Sequence, residues 1–492
     1  MDTAQNTEAI QEPAIIDKPQ LEESNAKQKR TDLFEKFPLL KKIVKLRSFQ
    51  FALILPNLAV FYLIIIAGLI GTPVGNKNIA IVFIWILWWF LLIAIMVPFA
   101  SRIWCTVCPL PFFGDWAQRL SFIKVRPGKT GAIKNKLYGL NIKWPKFLTN
   151  IWMQNIGFLT LCTFSALLVT RPIVTAGVLG GLLILGTVLA LFYRLRSFCS
   201  YVCPVSGFLS LYSMTSTMEL RSKDTDECLK CKSKACRVGN EDGWGCPWFI
   251  YMGKLERNNY CGLCMECVKS CPNDNIALNL RPFASETKIK GYDEAWKGFI
   301  MLALAMAYSV ILLGTDGTIK DWANVSETSM WGGFAIYTLI LWSAALVIVP
   351  AIFYGLSILT HRISGSTHIP VKKIFLAYSY VLVPLGLIAW IAFSIPLIFV
   401  NGSYIISVIS DPLGWGWDLF GTAGFHWQPL IPEYLPLIQI PLLLTGLYYA
   451  LNRGYTIGLE LFNDPNAALK GLIPIGIFSS GVTFAFMSFF IG

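Results

Sequence analysis

Long apolar stretches alternate with short polar segments along most of this chain. A helix needs roughly 17–25 apolar residues to span a bilayer, and about nine stretches reach that length. They lie near residues 49–71, 79–100, 150–170, 174–194, 298–315, 331–358, 374–399, 432–450 and 471–491. The third and fourth are so close in sequence that they form a tight hairpin, and prolines interrupt the eighth. The pattern predicts an α-helical polytopic membrane protein with about nine transmembrane helices.

Composition supports this fold class. The 492 residues are 55% hydrophobic and only 14% charged, whereas a soluble protein carries about 25% charged residues. A net charge of +12 does not require nucleic acid here, because basic residues of membrane proteins collect in cytoplasmic loops. The expected partner is therefore membrane lipid, and no nucleic-acid partner is expected.

The distribution of lysine and arginine predicts the orientation in the membrane. Eight of them lie in residues 27–47 and nine in residues 101–149, whereas the alternate loops hold almost none. Positively charged loops stay in the cytoplasm, so the N-terminus is expected inside and, with an odd number of helices, the C-terminus outside. Residues 1–30 contain no apolar signal region and are expected to form a disordered tail. The expected location is the bacterial inner membrane.

Residues 221–296 interrupt the apolar pattern with a polar, cysteine-rich segment. The stretch 261–272 reads CGLCMECVKSCP, which has the C-x2-C-x2-C-x3-C-P spacing of bacterial ferredoxins. The preceding stretch, 228–247, has the longer spacing C-x2-C-x4-C-x9-C-P. Clustered cysteines in a reducing compartment are more often metal ligands than disulfides. The segment is predicted to be a cytoplasmic, bacterial-type ferredoxin-like insert with two [4Fe–4S] clusters.

Two-cluster ferredoxins supply a rule for assigning the ligands. Three closely spaced cysteines bind one cluster, and the cysteine before the proline binds the other cluster. One predicted cluster is held by Cys228, Cys231, Cys236 and Cys271. The other predicted cluster is held by Cys261, Cys264, Cys267 and Cys246. The alternative is a pair of zinc sites, although four-cysteine zinc sites usually show two C-x2-C pairs with a longer gap between them.

A repeated unit in the first half of the chain carries four more cysteines. Each unit is a helix hairpin, an arginine, a cysteine pair that ends in Cys-Pro, and an apolar-aromatic stretch. The pairs are Cys105 with Cys108, and Cys199 with Cys203. They are interpreted as ligands of a further metal or cluster, as a reactive dithiol, or as buried thiols in helix-end turns. Cys162, inside the third apolar stretch, is interpreted as a small packing residue.

The order of these motifs resembles a known family, the polyferredoxin-type membrane proteins of the NapH, NosR and FixG kinds. The resemblance covers about residues 48–285. The family motif is C-x3-C-P, which CSYVCP matches, whereas CTVCP is one residue short. The resemblance implies electron transfer from membrane quinol to periplasmic acceptors, or a role in assembly. Residues 297–492 lie beyond it, so the chain is similar to a divergent or C-terminally extended member.

The C-terminal segment offers few further candidates. His361 and His368 share one loop, a poor arrangement for a haem held between packed helices. Asp411, Asp418 and His426 lie in a tryptophan-rich loop, where quinol oxidation would need proton acceptors. An interfacial aromatic belt with ordinary loop acids explains the same residues, and this second interpretation is favoured.

Four segments follow from this map: an N-terminal tail (1–47), duplicated hairpins with Cys-Pro motifs (48–220), the ferredoxin-like domain (221–296) and a C-terminal transmembrane bundle (297–492). The first hypothesis is an electron-transfer protein. Its cytoplasmic-side clusters would exchange electrons with the quinone pool, a soluble carrier or redox partner subunits of a quinol-oxidising complex. The alternative is an assembly or maturation factor for a respiratory metalloenzyme. A third hypothesis is a transporter with a regulatory iron–sulfur domain, but no broken helix pair in inverted repeats indicates a substrate site.

Overall fold

The computed structural model describes residues 30–121, 138–313, 317–366 and 368–491. The polar tail before residue 30 lies outside the described residues, as does the middle of the basic loop, 122–137. The described part is mostly helical, with one small three-stranded sheet. The predicted helical fold class is therefore confirmed.

Eight helices in the described part of the chain are long and apolar enough to cross a membrane, as expected of a multi-pass membrane protein. The helices named below are, in chain order, α1 (Phe49–Ile70), α2 (Ile79–Ala100), α3 (Trp152–Thr163), α4 (Ser165–Thr170), α5 (Pro172–Phe192), α6 (Pro204–Tyr212), α7 (Tyr292–Leu312), α8 (Trp331–Ile363), α9 (Val371–Asn401), α10 (Pro432–Phe462) and α11 (Pro465–Ile491). The short helices α3, α4 and α6 are not among the eight.

The third predicted span is a broken helix instead of a continuous one. It forms α3 and α4, which are separated at Phe164. The hydroxyls of Thr160 and Thr163 each donate to the carbonyl four residues earlier, both at 2.8 Å, a contact that bends helices. Thr170 O, at the end of α4, lies beside Gly75 in the loop between α1 and α2, while α3 begins beside the second Cys-Pro motif. The two pieces together therefore connect the two ends of the bundle.

Helix α9 is the most buried of the eight long helices. The Trp390 indole donates to Met301 O on α7 at 3.1 Å. Its ring centroid lies 5.5 Å from that of Trp89 on α2 and 6.0 Å from that of Phe208 on α6, both edge-on. Edge-to-face aromatic pairs add to the stabilisation that burial provides. The C-terminal helices therefore pack directly against the repeated hairpins.

A three-stranded antiparallel sheet lies outside the long helices. Its strands are β1 (Thr31–Asp32), β2 (Met218–Ser222) and β3 (Ile276–Leu280), with β3 in the centre. Leu280 pairs with Thr31 on one side and with Met218 on the other. The sheet therefore joins residues from the N-terminal segment, the strand after α6 and the end of the cysteine-rich run.

Short helices complete the rest of the described chain. They are Leu33–Lys36, Pro38–Lys45, Trp104–Val107, Phe112–Arg119, Thr225–Lys230, Ala235–Val238, Glu266–Ser270, Gly317–Ala323, Val325–Thr328 and Tyr404–Ser410. The amphipathic helix Pro38–Lys45 lies on the cysteine-rich segment, where Lys41 and Lys45 form ion pairs with Asp274. The basic N-terminal segment thus contacts the insert directly.

Buried ion pairs fix the sheet to the helix bundle. Glu219 on β2 is fully buried and pairs with Arg221 (3.2 Å), Arg281 (3.2 Å) and Arg30 (3.0 Å). Arg281 also donates to Met214 O, just after α6, at 3.1 Å. Burial by itself would raise the pKa of Glu219, but the three guanidinium groups outweigh it and lower the pKa. The carboxylate therefore stays ionised and links the sheet to the membrane helices.

Candidate metal centres

Four cysteines from two separate stretches line one cavity, called cavity one. They are Cys246, Cys261, Cys264 and Cys267, around about 300 Å³ of empty space that is partly open to solvent. Apolar side chains form much of the remaining wall, namely Leu220, Trp248, Ile250, Met252 and Leu255. The side-chain atoms that cavity one offers to a metal are therefore sulfur.

A second cavity, called cavity two, is lined by the other four cysteines of the insert. They are Cys228, Cys231, Cys236 and Cys271, around about 310 Å³. The Asn275 backbone N–H donates to Cys271 Sγ at 3.3 Å, and its side-chain amide donates to Cys228 Sγ at 3.4 Å. The two cavities thus contain the same two sets of four cysteines that the sequence spacing groups together.

The chain turns tightly around cavity one because two residues adopt left-handed backbone angles. Leu263 has a φ of 54° and Met265 a φ of 61°, on either side of Cys264. Burial raises the pKa of Cys261 and Cys264, and interactions with the backbone of Leu263 and Glu266 oppose this rise. Donors aimed at sulfur favour the thiolate, which is the form that binds metals.

Burial keeps most of these thiols protonated when they are free. It raises the pKa of Cys246 to about 12 and that of Cys228 to about 11. Cys231 differs, because a hydrogen bond with the Ser233 hydroxyl at 3.4 Å lowers its pKa. Metals bind the thiolate, so loading either cavity would release protons.

The arrangement of the donors indicates which metal groups fit. Among the described residues, no group of three or more His, Cys, Asp or Glu side chains is arranged to hold a metal ion. A single zinc ion needs its four ligands at about 2.0–2.3 Å from one point, whereas a [4Fe–4S] cluster spreads four cysteine ligands over a larger core. In each cavity the donor set is four cysteine thiols, which fits a [4Fe–4S] cluster.

The four cysteines of the Cys-Pro motifs, called the Cys-Pro thiols, also lie together. They are Cys105 in the helix Trp104–Val107, Cys108 directly after it, Cys199 in the wide turn Phe198–Val202, and Cys203 at the start of α6. Cys199 and Cys203 lie in one buried apolar cluster against which Cys108 packs, and Arg196, the arginine of the second repeat, donates to Cys105 O at 2.9 Å. Burial raises the pKa of Cys108 and Cys199. The fold therefore brings the two distant motifs to one place.

The spacing between the two cysteines is one residue longer in the second motif than in the first, and the backbone conformation differs accordingly. Trp104–Val107 is α-helical, but Phe198–Val202 is a π-helical turn in which the Cys203 N–H donates to Phe198 O at 2.9 Å. One extra residue in a helical turn produces such a wide turn, often at functional sites. The longer spacing between Cys199 and Cys203 is therefore compatible with a common site.

Two buried arginines, one from each repeat, contact this region. Arg196 donates to Asp115 Oδ2 from Nη2 (2.7 Å) and Nε (3.1 Å), and to Cys105 O from Nη1 (2.9 Å). Arg102 Nη2 donates to Ser206 Oγ at 2.6 Å and lies 3.8 Å from Cys105 Sγ. Burial would raise the pKa of Asp115, but Arg196 outweighs it and the pKa is lowered. Asp115 therefore remains a buried carboxylate.

Trp248 lies between the Cys-Pro thiols and cavity one. The guanidinium carbons of Arg102 and Arg196 lie 5.8 and 5.0 Å from its ring centroid. The ring packs against Gly262 in the wall of cavity one, and Thr106 Oγ1 donates to Gly262 O at 2.7 Å. The two sites are therefore neighbours. The arginine of each repeat is visible in the sequence without an assigned role, and no sequence pattern predicts Trp248.

The remaining candidates lie apart from these sites. His368 and His426 are exposed. Asp411 accepts backbone N–H groups from Trp415 (3.0 Å) and Gly416 (2.7 Å), as an ordinary turn acid does. Cys162 is buried in the helix bundle and lines neither cavity.

By its fold and candidate sites, this chain is a multi-pass helical membrane protein with cysteine-lined cavities beside its bundle. It is similar to two proteins of Methanocaldococcus jannaschii. The uncharacterized protein MJ0749 is 26% identical over 52% of this chain and 92% of its own length. The uncharacterized protein MJ0750 is 26% identical over 38% of this chain and 76% of its own length.

The chain is also distantly related to a protein of Escherichia coli strain K12 named "Putative electron transport protein YccM". The identity is 24% over 37% of this chain, and the match spans 55% of the length of YccM. No protein-family profile matches the chain, and no solved structure matches it.

Proposed function

We propose that this chain is a membrane-bound iron–sulfur electron-transfer protein with one [4Fe–4S] cluster in cavity one and another in cavity two. The observation that carries the proposal is that each cavity is lined by four cysteines drawn from both cysteine runs. Four thiolates are the usual ligands of such a cluster. The name of the distant E. coli relative, an electron transport protein, supports the same general role.

A bound [4Fe–4S] cluster supplies one-electron transfer, and the surrounding protein sets the potential. In cavity one much of the wall is apolar, including Trp248 and Ile250, and interactions with the backbone of Leu263 and Glu266 favour the thiolates of Cys261 and Cys264. In cavity two, Cys231 and Cys271 are only partly buried, whereas in cavity one this holds for Cys246 alone. Because solvent exposure and hydrogen bonds to sulfur tune the potential, the two sites should differ, and cavity two is the one open to a soluble partner.

The proposal includes a third metal group at the Cys-Pro thiols. Burial raises the pKa of Cys203 to about 11, which makes a reactive dithiol unfavourable because the thiolate is the nucleophile. The same burial suits a bound group that neutralises the thiolates. These thiols follow the ends of α2 and α5, which supports assigning to their group the exchange of electrons with quinone in the bilayer. A cytoplasmic position of both cavities in a bacterial inner membrane completes the proposal.

Metal analysis of anaerobically purified protein tests this function. We expect about four iron and four acid-labile sulfide per cluster, and the reduced clusters should give EPR signals. Cys264→Ala should lose the cluster of cavity one, whereas the control Cys162→Ala should keep the full iron content. Zinc without iron, or an iron content that Cys264→Ala leaves unchanged, would contradict the proposal.

Electron exchange is tested separately with the same preparation. Reduced protein in detergent should pass electrons to a soluble quinone analogue, measured by bleaching of the cluster absorbance and its recovery. Clusters that are present but exchange no electrons with a quinone analogue or a ferredoxin would argue against electron transfer as the role.

A further inference from the structure

Lys297 is a fully buried lysine inside the helix bundle. It lies on α7, its exposed fraction is zero, and its Nζ lies 4.7 Å from the ring centroid of Phe158 on α3. Within the described part of the chain, its Nζ makes no hydrogen bond and no ion pair. A buried charge without a partner is costly, and an ionisable side chain inside a membrane helix usually marks a functional site.

The amino group of Lys297 lies against α6, the helix that begins directly after Cys203 of the second Cys-Pro motif. A Cβ placed on Gly207 of α6 would lie 3.2 Å from Lys297 Nζ and 3.1 Å from Gln154 Oε1. The Gly207 N–H donates to Cys203 O at 3.2 Å, and Gln154 Nε2 donates to Cys199 O at 3.1 Å. Gln154 is neutral, so it does not balance the lysine charge. The thiols close enough to act on Lys297 electrostatically are Cys162 and Cys203.

Arg102 is a buried cation beside the Cys-Pro thiols, and only 3% of it is exposed. Its partners are the Asn259 carbonyl, the Ser206 hydroxyl and the Cys105 sulfur, none of which is a carboxylate. Arg196, by contrast, is balanced by Asp115 at 2.7 Å. With protonated Cys-Pro thiols, Arg102 would have no counter-charge in this site, and Lys297 could keep its proton only as an unbalanced buried charge.

We propose that Lys297 and Arg102 balance the negative charge of the metal group at the Cys-Pro thiols, and that Lys297 raises its reduction potential. The inference rests on the third metal group of the proposed function. An iron–sulfur core with four thiolates carries net negative charge, and each added electron increases it, with no bond formed or broken. A fixed cation nearby favours the more negative, reduced form, most strongly where the dielectric constant is low.

An EPR-monitored redox titration with dithionite as reductant tests the role of Lys297. The relevant signal is the one that Cys105→Ala/Cys199→Ala removes from the holoprotein. In Lys297→Met the reduction potential of this signal should fall by at least about 59 mV, which makes one-electron reduction tenfold less favourable. Lys297→Arg should restore the potential, and Cys162→Ala should leave it unchanged. An unaltered potential in Lys297→Met, with the signal present, would overturn the inference.

A stability measurement separates charge balance from simple packing. In protein with all four Cys-Pro thiols replaced by alanine, Lys297→Met should raise the unfolding temperature, because it removes an unbalanced cation. In the holoprotein the same substitution should lower it. Lys297→Gln serves as the second variant where Lys297→Met does not fold. A change of the same sign in both backgrounds would show that Lys297 only packs.

Metal analysis distinguishes this inference from the function on which it rests. If wild-type protein and the variant without Cys-Pro thiols hold equal amounts of iron, no third group is bound, and the proposed third site fails together with the inference. If the variant lacks iron that the wild type holds, but Lys297→Met leaves the reduction potential unchanged, only the inference fails.

Discussion

Gly262 lies in the wall of cavity one and its backbone contacts the ring of Trp248. One methyl group added at Gly262 should therefore disturb both the cavity and the tryptophan. A Cβ on Gly262 would overlap the six-membered ring of Trp248, with Cζ3 at 2.5 Å and Cζ2 at 2.6 Å, whereas Cβ contacts essentially never fall below 3.0 Å. Gly262 follows the cysteine ligand candidate Cys261 directly in the chain, and both residues line cavity one. The tryptophan ring must therefore move away if the cysteine loop keeps its shape.

The cost follows from the contacts of that ring. Overpacking a close-packed site costs about 1–3 kcal/mol. Displacing the ring also weakens its contacts with Arg102 and Arg196, each worth about 0.5–2 kcal/mol. Because contacts of one side chain are not additive, we expect Gly262→Ala to lower the free energy of unfolding by about 2–4 kcal/mol.

Denaturant unfolding of the purified protein in detergent measures this effect. Gly180→Ala on α5 is the control, because a Cβ there meets no atom within 4 Å, and it should not lower the free energy of unfolding, since alanine favours a helix more than glycine does. Trp248→Phe combined with Gly262→Ala should regain part of the loss, since phenylalanine is shorter than the indole. Gly262→Ala that unfolds like Gly180→Ala, or a double variant no more stable than Gly262→Ala, would refute the reasoning.

Three further predictions concern the ligand sets and the buried ion pair. Cys246→Ala with Cys261→Ala should remove about four iron atoms, whereas Cys246→Ala with Cys271→Ala should remove about eight by metal analysis; equal losses would contradict the crossed grouping. Asp115→Asn leaves Arg196 buried without counter-charge and should lower the free energy of unfolding by about 3–5 kcal/mol, and an unchanged unfolding midpoint would argue against this. Because the pKa of Asp115 is lowered, its stabilisation should be complete above its unfolded pKa of about 3.9 and be lost as pH falls through the folded pKa. Acid unfolding followed by tryptophan fluorescence should show that the wild type loses this stabilisation as the pH falls. Asp115→Asn should lose less stability over the same pH range.

The sequence by itself determined the features that depend on local spacing. Apolar runs of membrane-spanning length predicted the long helices, because a bilayer imposes both length and composition on a helix. Short cysteine spacings grouped Cys261, Cys264 and Cys267, which line one cavity, because two intervening residues keep side chains of a tight turn close together. The crossed grouping of Cys246 and Cys271 depended on the ferredoxin spacing rule, and each lies in the cavity to which that rule assigns it. The sequence also showed an arginine before the cysteine pair in each repeat, but it did not predict what that arginine does.

Only the tertiary structure decided which distant residues meet. The break at Phe164 follows two hydroxyl contacts within α3, and a hydropathy pattern registers neither. The position of Trp248 between the two arginines, and the convergence of the Cys-Pro thiols, are long-range contacts. Lys297 lies one residue before the predicted start of its span, so the apolar pattern did not single it out. The packing of α3, α6 and α7 around its ammonium group makes that charge significant, since burial removes the water that would otherwise solvate it.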